Sequence, residues 1–568
     1  MKKSLSFLAV LGVGLTCATL LLWLWQQNRA DLHRLSTARA ATTLITPLSA
    51  PNPPASPPSS LRATAIDAFS QSLLASLQRL LARGTDTRTD EALLTFKDPA
   101  AYRRFLARAK AAGLIVLDEL PALRAIRVRF DSPEALGSDL AYHAADYAGL
   151  SANALVHVPS LPATPSKEDR ADIAHVPFGN TALAFLGVPA EHSQWGKGVT
   201  IAILDTGVLP DTTFGSGRLR SLDIGLGTVA GRGEEDGHGT AVAALAAGSD
   251  ADAPGVAPAA SLLSIRVTDT RSTSDTFTIA HAIVAAVDAG AKIINVSLGG
   301  YATSTTLDAA ISYAVERGSL IVAAAGNDQA AQLTWPAADP RVISVGAVDR
   351  AGQQVTFSNS GATLSLTAPG YGVQTAWQDG QRVTVDGTSA SAPLVAGAIA
   401  AILSQNSSLT PTAAAQVLVA TASDAGAAGS DAHYGHGTLN LGWALNRNNS
   451  TYYDPAIASH SYDATNHHMQ FVVQNRSGAA AAGLQLTVTT TAGTVTTSTL
   501  FSVPPLAIGE SYIATLPVDR ASPQPATSLT YVTQFQRALR QIQQACERLS
   551  TRPLRRDESD QKAWTGRS

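Results

Sequence analysis

Three short motifs carry side chains that together could activate a nucleophile. The motifs are Ile203-Leu204-Asp205-Thr206-Gly207, Gly237-His238-Gly239-Thr240 and Gly387-Thr388-Ser389. A serine hydroxyl is a weak nucleophile at neutral pH. It needs a base such as histidine, and the histidine needs an acid that orients it and steadies its charge. Asp205, His238 and Ser389 supply these groups, so we predict a nucleophilic serine.

Each motif also has a plainer interpretation. Asp-Thr-Gly is common where a strand ends in a turn, a lone histidine at a helix start often serves as a cap, and Gly-Thr-Ser is often a capped turn. Taken together, in this order and each at a predicted strand end or helix start, the three motifs favour catalysis over these structural roles.

The elements around the motifs predict how they are positioned. Apolar β-branched runs alternate with alanine-rich stretches, which is typical of a doubly wound parallel sheet with helices on both faces. The predicted strands are Val199–Leu204, Ser261–Val267, Lys292–Ser297, Leu320–Ala325 and Val342–Val348, and the predicted helices are Thr240–Ala247, Phe277–Ala289, Leu307–Arg317 and Ser391–Gln405. Functional groups of such sheets lie beyond the carboxyl ends of the strands, where Asp205 is expected.

Composition excludes other kinds of chemistry. The 568 residues carry 41 basic and 44 acidic side chains, 45% are hydrophobic, and the only cysteines are Cys17 and Cys546. A near-neutral chain lacks the basic surface of a dedicated nucleic-acid binder. Two cysteines exclude a disulfide scaffold and a cysteine-rich metal site. We therefore expect no nucleic-acid partner and no cofactor requirement for the chemistry.

The N-terminus predicts a membrane or export segment. Lys2 and Lys3 precede Ser4–Trp25, an uncharged run that is long enough to cross a bilayer and ends in tryptophans. We interpret residues 1–28 as an uncleaved signal anchor, with a cleaved signal peptide as the alternative. The proline-rich residues 29–69 are typical of a stiff linker. This predicts a single-pass membrane protein with an extracytoplasmic catalytic domain, or a secreted one.

Two further domains flank the central sheet. Residues 70–160 form a predicted α+β domain, with strands Leu93–Phe96, Leu114–Leu117, Leu123–Phe130 and Ala154–Val158 and helices Pro99–Ala112 and Pro133–Tyr147. Residues 447–533 contain the alternating runs Met469–Val473, Leu484–Thr490, Val495–Val503 and Tyr512–Leu516, which favour a β-sandwich. Residues 534–568 are expected to form a basic, partly helical tail.

From about Asn180 to Gly442 the sequence resembles the subtilisin-like serine peptidase (subtilase) family. Besides the three motifs, the matching segments are Gly255-Val256-Ala257-Pro258, Asn295-Val296-Ser297-Leu298-Gly299, Ala324-Ala325-Gly326-Asn327 and Ala368-Pro369-Gly370. The chain order Asp, His, Ser is also that of subtilisin. The resemblance implies a catalytic domain over 175–446. It also implies a serine endopeptidase that cleaves extracytoplasmic proteins through an acyl-enzyme intermediate.

The same resemblance assigns further residues. It implies that Asn327 donates a side-chain hydrogen bond in the oxyanion hole, and that Ser297, Leu298 and Gly299 form a strand edge that pairs with extended substrate. A turn residue and an ordinary sheet edge are the alternatives. Residues 70–160 resemble a propeptide that assists folding and inhibits the site until it is removed. The protein would then be a self-processing precursor cut between Val158 and Asn180, although an unrelated interaction domain would also fit.

The sequence departs from the family pattern in three places. In the histidine motif, Ala241 and Ala244 stand where the family usually has histidine and glycine. Ala390 follows the nucleophile where the family usually has methionine, which should loosen packing beneath the serine. The stretch from Ala246 to Gly255 is short where many relatives carry a calcium loop. Its Asp250 and Asp252 are a weak basis for a site that needs about six to eight oxygens. We therefore predict no metal site.

Two other functions remain as alternatives. A catalytically silent subtilase-fold binding module is suggested by the small residues Ala390 and Ala241. An esterase is disfavoured because Ser389 lacks the Gly-x-Ser-x-Gly elbow. For the peptidase we expect protein or peptide substrates and a monomeric enzyme.

Overall fold

The computed structural model describes residues 86–158, 175–228, 237–463, 468–492, 495–517 and 528–532. All of them belong to one compact unit that spans Ala68–Ser568. The expected anchor, linker and tail lie outside the described residues. Among the described residues, one helix, Thr388–Gln405, is long and apolar enough to cross a membrane, but 89% of it is buried inside the protein.

The N-terminal domain is a four-stranded antiparallel sheet with two helices on one face. Its elements are β1 (Glu91–Phe96), α1 (Pro99–Arg108), β2 (Leu114–Leu120), β3 (Ala125–Phe130), α2 (Pro133–His143), β4 (Tyr147–Ser151) and β5 (Leu155–His157). The sheet order is β2-β3-β1-β4. Each helix begins with a capping side chain followed by proline: Asp98 accepts from Ala101 N–H, and Ser132 accepts from Ala135 N–H.

One sequence prediction in this domain is wrong. The second helix ends at His143, four residues before Tyr147, and a strand that was not predicted, Tyr147–Ser151, completes the sheet. The predicted last strand, Ala154–Val158, instead leaves this sheet as β5 and pairs with a strand of the next domain. Tyr147 fits the apolar spacing of the predicted helix. A buried aromatic side chain is equally compatible with the period of a helix and that of a strand, so the spacing did not reveal β4.

The catalytic domain is built on a seven-stranded sheet. Its elements are α3 (Ala182–Phe185), β6 (Thr200–Asp205), β7 (Leu219–Leu222), α4 (His238–Ala247), β8 (Ser249–Asp250), β9 (Ala253–Pro254), β10 (Ser261–Arg266), β11 (Thr273–Asp275), α5 (Thr276–Asp288), β12 (Ile293–Val296), α6 (Thr305–Glu316), β13 (Leu320–Ala324), β14 (Ile343–Val348), β15 (Leu366–Pro369), β16 (Val373–Ala376), β17 (Arg382–Val385), α7 (Thr388–Gln405), α8 (Pro411–Ala420) and α9 (Leu441–Asn446).

The large sheet is parallel, in the order β15-β14-β13-β12-β6-β10-β7. Alternate residues of each strand point to opposite faces. Ile201 and Ile203 of β6 pack in a cluster with α4, α7 and α8, while Ala202 and Leu204 pack with α5 and α6 on the other face. The predicted parallel sheet between two helical layers is therefore confirmed.

The C-terminal domain contains six further strands: β18 (Pro455–Asp463), β19 (His468–Asn475), β20 (Gln485–Ala492), β21 (Val495–Ser502), β22 (Ser511–Pro517) and β23 (Ser528–Val532). They form two antiparallel sheets in the orders β18-β19-β22 and β21-β20-β23. Phe471 from one sheet and Leu486 and Val488 from the other belong to one buried cluster. The alternation in sequence predicted four of these strands but not β18 or β23.

Candidate active site

Asp205 and His238 meet at the carboxyl end of the central sheet. Asp205 is the last residue of β6 and is fully buried, and His238 is the first residue of α4. His238 Nδ1 donates to Asp205 Oδ1 over 2.8 Å. Because a carboxylate can only accept, this bond fixes the imidazole tautomer and leaves Nε2 as the basic nitrogen.

The residues around His238 explain its motif. A β-carbon on Gly239 would lie 2.4 Å from Gly207 O, so only glycine permits this approach of helix to strand end. Gly239 N–H donates to Thr206 Oγ1 over 3.1 Å, and Leu209 N–H donates to Thr240 Oγ1 over 2.9 Å. The small and hydroxyl residues of the first two motifs thus join α4 to the loop after β6.

Ser389 is the second residue of α7, and it lines the same small pocket as His238. Ser389 is 7% exposed. Pro393 has no N–H, so the carbonyl of Ser389 lacks its usual partner one helical turn later. Ser297 Oγ donates to that carbonyl over 3.1 Å and in turn accepts from Asn295 Nδ2 over 2.9 Å. The backbone at Ser389 is therefore held from the end of the neighbouring strand β12.

Asn327 lies on the other side of Ser389. Its Oδ1 accepts from Thr388 N–H over 2.9 Å and from Thr388 Oγ1 over 2.8 Å, which fixes the orientation of the amide. A β-carbon on Gly387, where φ is +138°, would lie 2.9 Å from Asn327 Nδ2 and 2.9 Å from Ser389 Oγ. The amide nitrogen and the hydroxyl therefore flank the same small space.

Thr388 and Asn359 support Asn327 and were not assigned from the sequence. Thr388 Oγ1 also accepts from Gly326 N–H over 3.1 Å. The fully buried Asn359 accepts from the N–H groups of Asp328 and Ala330 over 3.0 and 2.9 Å. These bonds fix the loop on both sides of Asn327. Thr388 belongs to the Gly-Thr-Ser motif and could have been found from it. No motif in the sequence marks Asn359 as a partner of this loop.

The predicted strand edge at Ser297, Leu298 and Gly299 contacts the N-terminal domain. Ser297 and Leu298 are buried, so the backbone of Gly299 is the part of the edge that pairs. His157 of β5 donates to Gly299 O over 3.0 Å and accepts from Gly299 N–H over 3.1 Å. On its other side β5 pairs with β11. An extended strand of the chain itself thus occupies the groove predicted for substrate.

A buried carboxylate joins the N-terminal and catalytic domains. Asp275 is 1% exposed, caps α5 through Thr278 N–H, and accepts from Arg88 Nε over 3.1 Å. Arg127 Nη1 lies 3.5 Å from the same carboxylate. Asn153, fully buried, accepts from Phe277 N–H over 3.2 Å, so the N-terminal domain also caps α5.

The short stretch before Gly255 is a hairpin, β8–β9, held by an arginine. Arg382 Nη2 lies 3.3 Å from Asp250 Oδ2, and Arg382 Nη1 lies 3.1 Å from Asp211 Oδ2. The backbone oxygen of Asp252 accepts from Gln374 Nε2 over 2.9 Å. Within the described ranges, no group of three or more His, Cys, Asp or Glu side chains could hold a metal ion.

One carboxyl group near Ser389 has a raised pKa. Burial raises the pKa of the Asp386 carboxyl, although a hydrogen bond from Gly372 N–H favours its charged form. Asp386 lines the same pocket as His238 and Ser389. Its ionisation therefore alters the charge next to the proposed nucleophile.

Comparison with known proteins identifies the family of the chain. A family model described as the subtilase family matches residues 196–437. The chain is 32% identical over 275 residues to a thermostable alkaline protease of Halalkalibacterium halodurans, a match that covers 47% of this chain and 73% of that protein. It is 34% identical over 278 residues to the subtilisin of Bacillus pumilus, covering 47% of this chain and 97% of that protein.

A solved structure extends the likeness of the fold. Fervidolysin from Fervidobacterium pennivorans, described as a keratinolytic enzyme related to subtilisin, aligns with a TM-score of 0.53 at 21% identity, covering 76% of this chain and 68% of that one. Fold and relatives together define a subtilisin-like serine endopeptidase, whose substrates are proteins or peptides. The chain belongs to the subtilase family.

Proposed function

We propose that Ser389, His238 and Asp205 form the catalytic triad of this peptidase. Ser389 Oγ attacks the carbonyl carbon of the scissile bond while His238 Nε2 takes its proton. The imidazolium then gives the proton to the leaving amine, and a water molecule releases the acyl group by the same route. The observation that carries the proposal is the hydrogen bond from His238 Nδ1 to Asp205 Oδ1, in a pocket that Ser389 also lines.

We propose that Asn327 stabilises the oxyanion together with the N–H of Ser389. The space between Asn327 Nδ2 and Ser389 Oγ supports this role, because a donor must face the position where negative charge develops. Thr388 holds the acceptor end of the amide, so Nδ2 is the end that can donate to substrate. Replacement of Asn327 by alanine should lower kcat by about 100-fold to 1,000-fold.

We propose that residues 70–160 are a propeptide that inhibits the enzyme until self-cleavage. The pairing of β5 with Gly299 and with β11 supports this role, since it fills the groove that an extended substrate would use. Cleavage between Val158 and Asn180 would separate the two domains. The catalytic domain would then span 175–446 and be followed by a β-sandwich over 447–533.

The location of the enzyme is proposed from sequence. The apolar run Ser4–Trp25 supports a membrane-anchored or exported precursor, and therefore extracytoplasmic substrates. If the anchor belongs to the propeptide part, self-cleavage would release the mature peptidase.

A pair of serine variants tests the triad. Ser389→Ala removes the nucleophile, whereas Ser391→Ala removes a hydroxyl two residues later that donates to Ala368 O and Pro369 O instead. We expect Ser389→Ala to lower peptide hydrolysis by at least about a thousandfold and to leave an uncut precursor. Ser391→Ala should retain hydrolysis. Equal loss in both folded variants would mean that Ser389 has no special role.

A further inference from the structure

His238 and Ser389 line a pocket, and one wall of this pocket is formed by residues outside the proposed triad. Its lining comprises His238, Ala241, Val242, Leu245, Trp377, Val385, Asp386, Ser389 and Ala390. Trp377 lies in the turn between β16 and β17, and the turn is closed by a hydrogen bond from Trp377 N–H to Gln381 O over 2.9 Å. The indole is half-buried, as are Val385 and Asp386, so these three residues form the part of the lining that reaches the surface.

Trp377 packs directly on the backbone before His238. A β-carbon on Gly237 would lie 2.3 to 2.5 Å from three atoms of the indole, so only glycine at this position leaves room for the ring. The indole therefore lies against the start of α4, next to the imidazole. Packing of the indole therefore requires glycine at position 237, whatever the backbone conformation there requires.

The hairpin that carries Trp377 is fixed to the catalytic domain. Arg382 at the start of β17 pairs with Asp211, which is nearly inaccessible, and with Asp250, at 3.1 and 3.3 Å. Thr375 Oγ1 in β16 donates to Ala241 O over 2.9 Å, and both residues are buried. Because strand β16 is tied to α4 and strand β17 to the neighbouring loops, the indole has little freedom to move away from His238.

The positions that the acyl part and the leaving amine must take assign this pocket to one side of the scissile bond. The acyl part of a substrate must lie near Asn327 and the strand edge at Gly299, where β5 lies. The leaving amine must lie beside the imidazole that protonates it. The pocket is lined by His238 and Trp377 but by neither Asn327 nor Gly299. It therefore faces the residue that follows the scissile bond.

The pocket is small, and Trp377 is the largest side chain in its lining. Ala390 and Ala241 leave space between α7 and α4, and yet the cavity measures only about 20 Å³. A space of this size holds about one water molecule. A glycine, alanine or serine side chain would fit, whereas leucine or phenylalanine would require the indole to move.

We propose that Trp377 makes this peptidase select substrates with a small residue directly after the scissile bond. The inference rests on the proposed function, because it takes His238 as the group that protonates the leaving amine. Trp377 is then a specificity residue: it contacts the leaving part of the substrate and takes no part in proton transfer.

The test compares two peptides that differ only in the residue after the cleaved bond, alanine or leucine, and an ester of the same acyl part with a small alcohol. We expect the wild-type enzyme to favour alanine over leucine by at least about tenfold in kcat/KM. Trp377→Ala should reduce this ratio to within about threefold. Turnover of the ester, which has no residue on the leaving side, is measured on each enzyme sample as the reference for the acyl part.

Three variants serve as controls. Trp195→Ala removes another half-buried indole that does not line the pocket and should keep the wild-type ratio. Arg382→Gln should loosen the hairpin and give an intermediate ratio. Trp377→Leu covers the case in which the alanine variant folds poorly. The ratio of two substrates on one enzyme sample does not depend on the folded fraction.

Two results would overturn the inference: a wild-type enzyme that accepts leucine as readily as alanine, or a Trp377→Ala enzyme that keeps the wild-type ratio. A wild-type enzyme that turns over neither peptide nor ester would instead refute the proposed function, and the inference with it.

Discussion

The N-terminal and catalytic domains bury their cores in different ways. All ten residues of α4 are buried, and α4 and α7 approach closely through alanine and glycine. The N-terminal domain instead packs the rings of Phe96, Phe105 and Tyr147, with ring centres 5.0 and 5.1 Å from Phe96. It also buries two carboxylates, Asp139 and Asp146.

The difference extends to how much each domain needs the other. Leu93, Leu120, Leu123 and Ala125 of the N-terminal domain belong to the buried cluster that α5 and α6 form in the catalytic domain. Among the described residues, one face of the small sheet packs against the catalytic domain. Small domains bury a lower fraction of their surface, so the loss of this contact should cost the N-terminal domain more stability than the catalytic domain. This asymmetry suits a segment that is removed after folding.

The largest expected effect is on the helix contact of the catalytic domain. A β-carbon on Gly397 in α7 would lie 2.7 Å from Ala246 O in α4 and 2.8 Å from Val256 Cβ. Gly397→Val should therefore lower the free energy of unfolding by roughly 4 kcal/mol. Chemical denaturation of a Ser389→Ala background measures it, since that variant cannot degrade itself.

Gly318→Ala is the control for Gly397→Val. Its new methyl group would meet no atom within 4 Å, and only the positive φ of +72° opposes it. A cost of about 1 kcal/mol is expected. Equal costs at the two positions would show that close packing of α4 on α7 does not dominate the stability of this domain.

The next effect concerns the contact between the domains. Asp275→Ala leaves the half-buried Arg127 without its second acid and removes a cap from α5. We expect the N-terminal domain to be held less tightly by about 3 kcal/mol, measured as faster hydrogen exchange in β1 to β4 of the Ser389→Ala precursor. Asp269→Ala is the control, because its carboxylate is 40% exposed and 3.9 Å from Arg88. Unchanged hydrogen exchange in Asp275→Ala would show that this carboxylate does not hold the two domains together.

The smallest effect concerns the acid sensitivity of the N-terminal domain. Burial alone would raise the pKa of Asp146, but hydrogen bonds from Arg104 and Arg108 outweigh it and hold the pKa below its usual value of 3.8. The stabilisation is therefore present above pH 3.8 and is lost as the pH falls through the lowered pKa. Hydrogen exchange during acid titration of the Ser389→Ala precursor should therefore show the N-terminal domain losing protection as the pH falls below 3.8.

Asp146→Asn tests the source of that acid sensitivity. The variant should be less stable at neutral pH and should lose less stability on acidification, whereas Asp131→Asn, at an exposed acid, should behave as wild type. A variant with the wild-type acid response would assign the sensitivity to other groups.

The sequence predicted the parts of the site that local pattern controls. Asp205 ends an apolar run, and Ser389 comes two residues after Gly387, so strand and helix periodicity predicted a strand end for Asp205 and a helix start for Ser389, where the structure has them. The salt bridge of Asp275 with Arg88 could not be predicted, because it joins residues 187 positions apart through packing of two domains. Trp377 is similar: its contact with Gly237 depends on the path of a hairpin that apolar pattern did not reveal.

The central claim is that His238 activates Ser389, and covalent labelling of the serine tests it most directly. A fluorophosphonate probe should react with one residue of the mature enzyme, and peptide mapping should place the label on Ser389. In folded His238→Ala protein the labelling rate should fall by at least about 100-fold. Label on another residue, or an unchanged rate without the imidazole, would contradict the account.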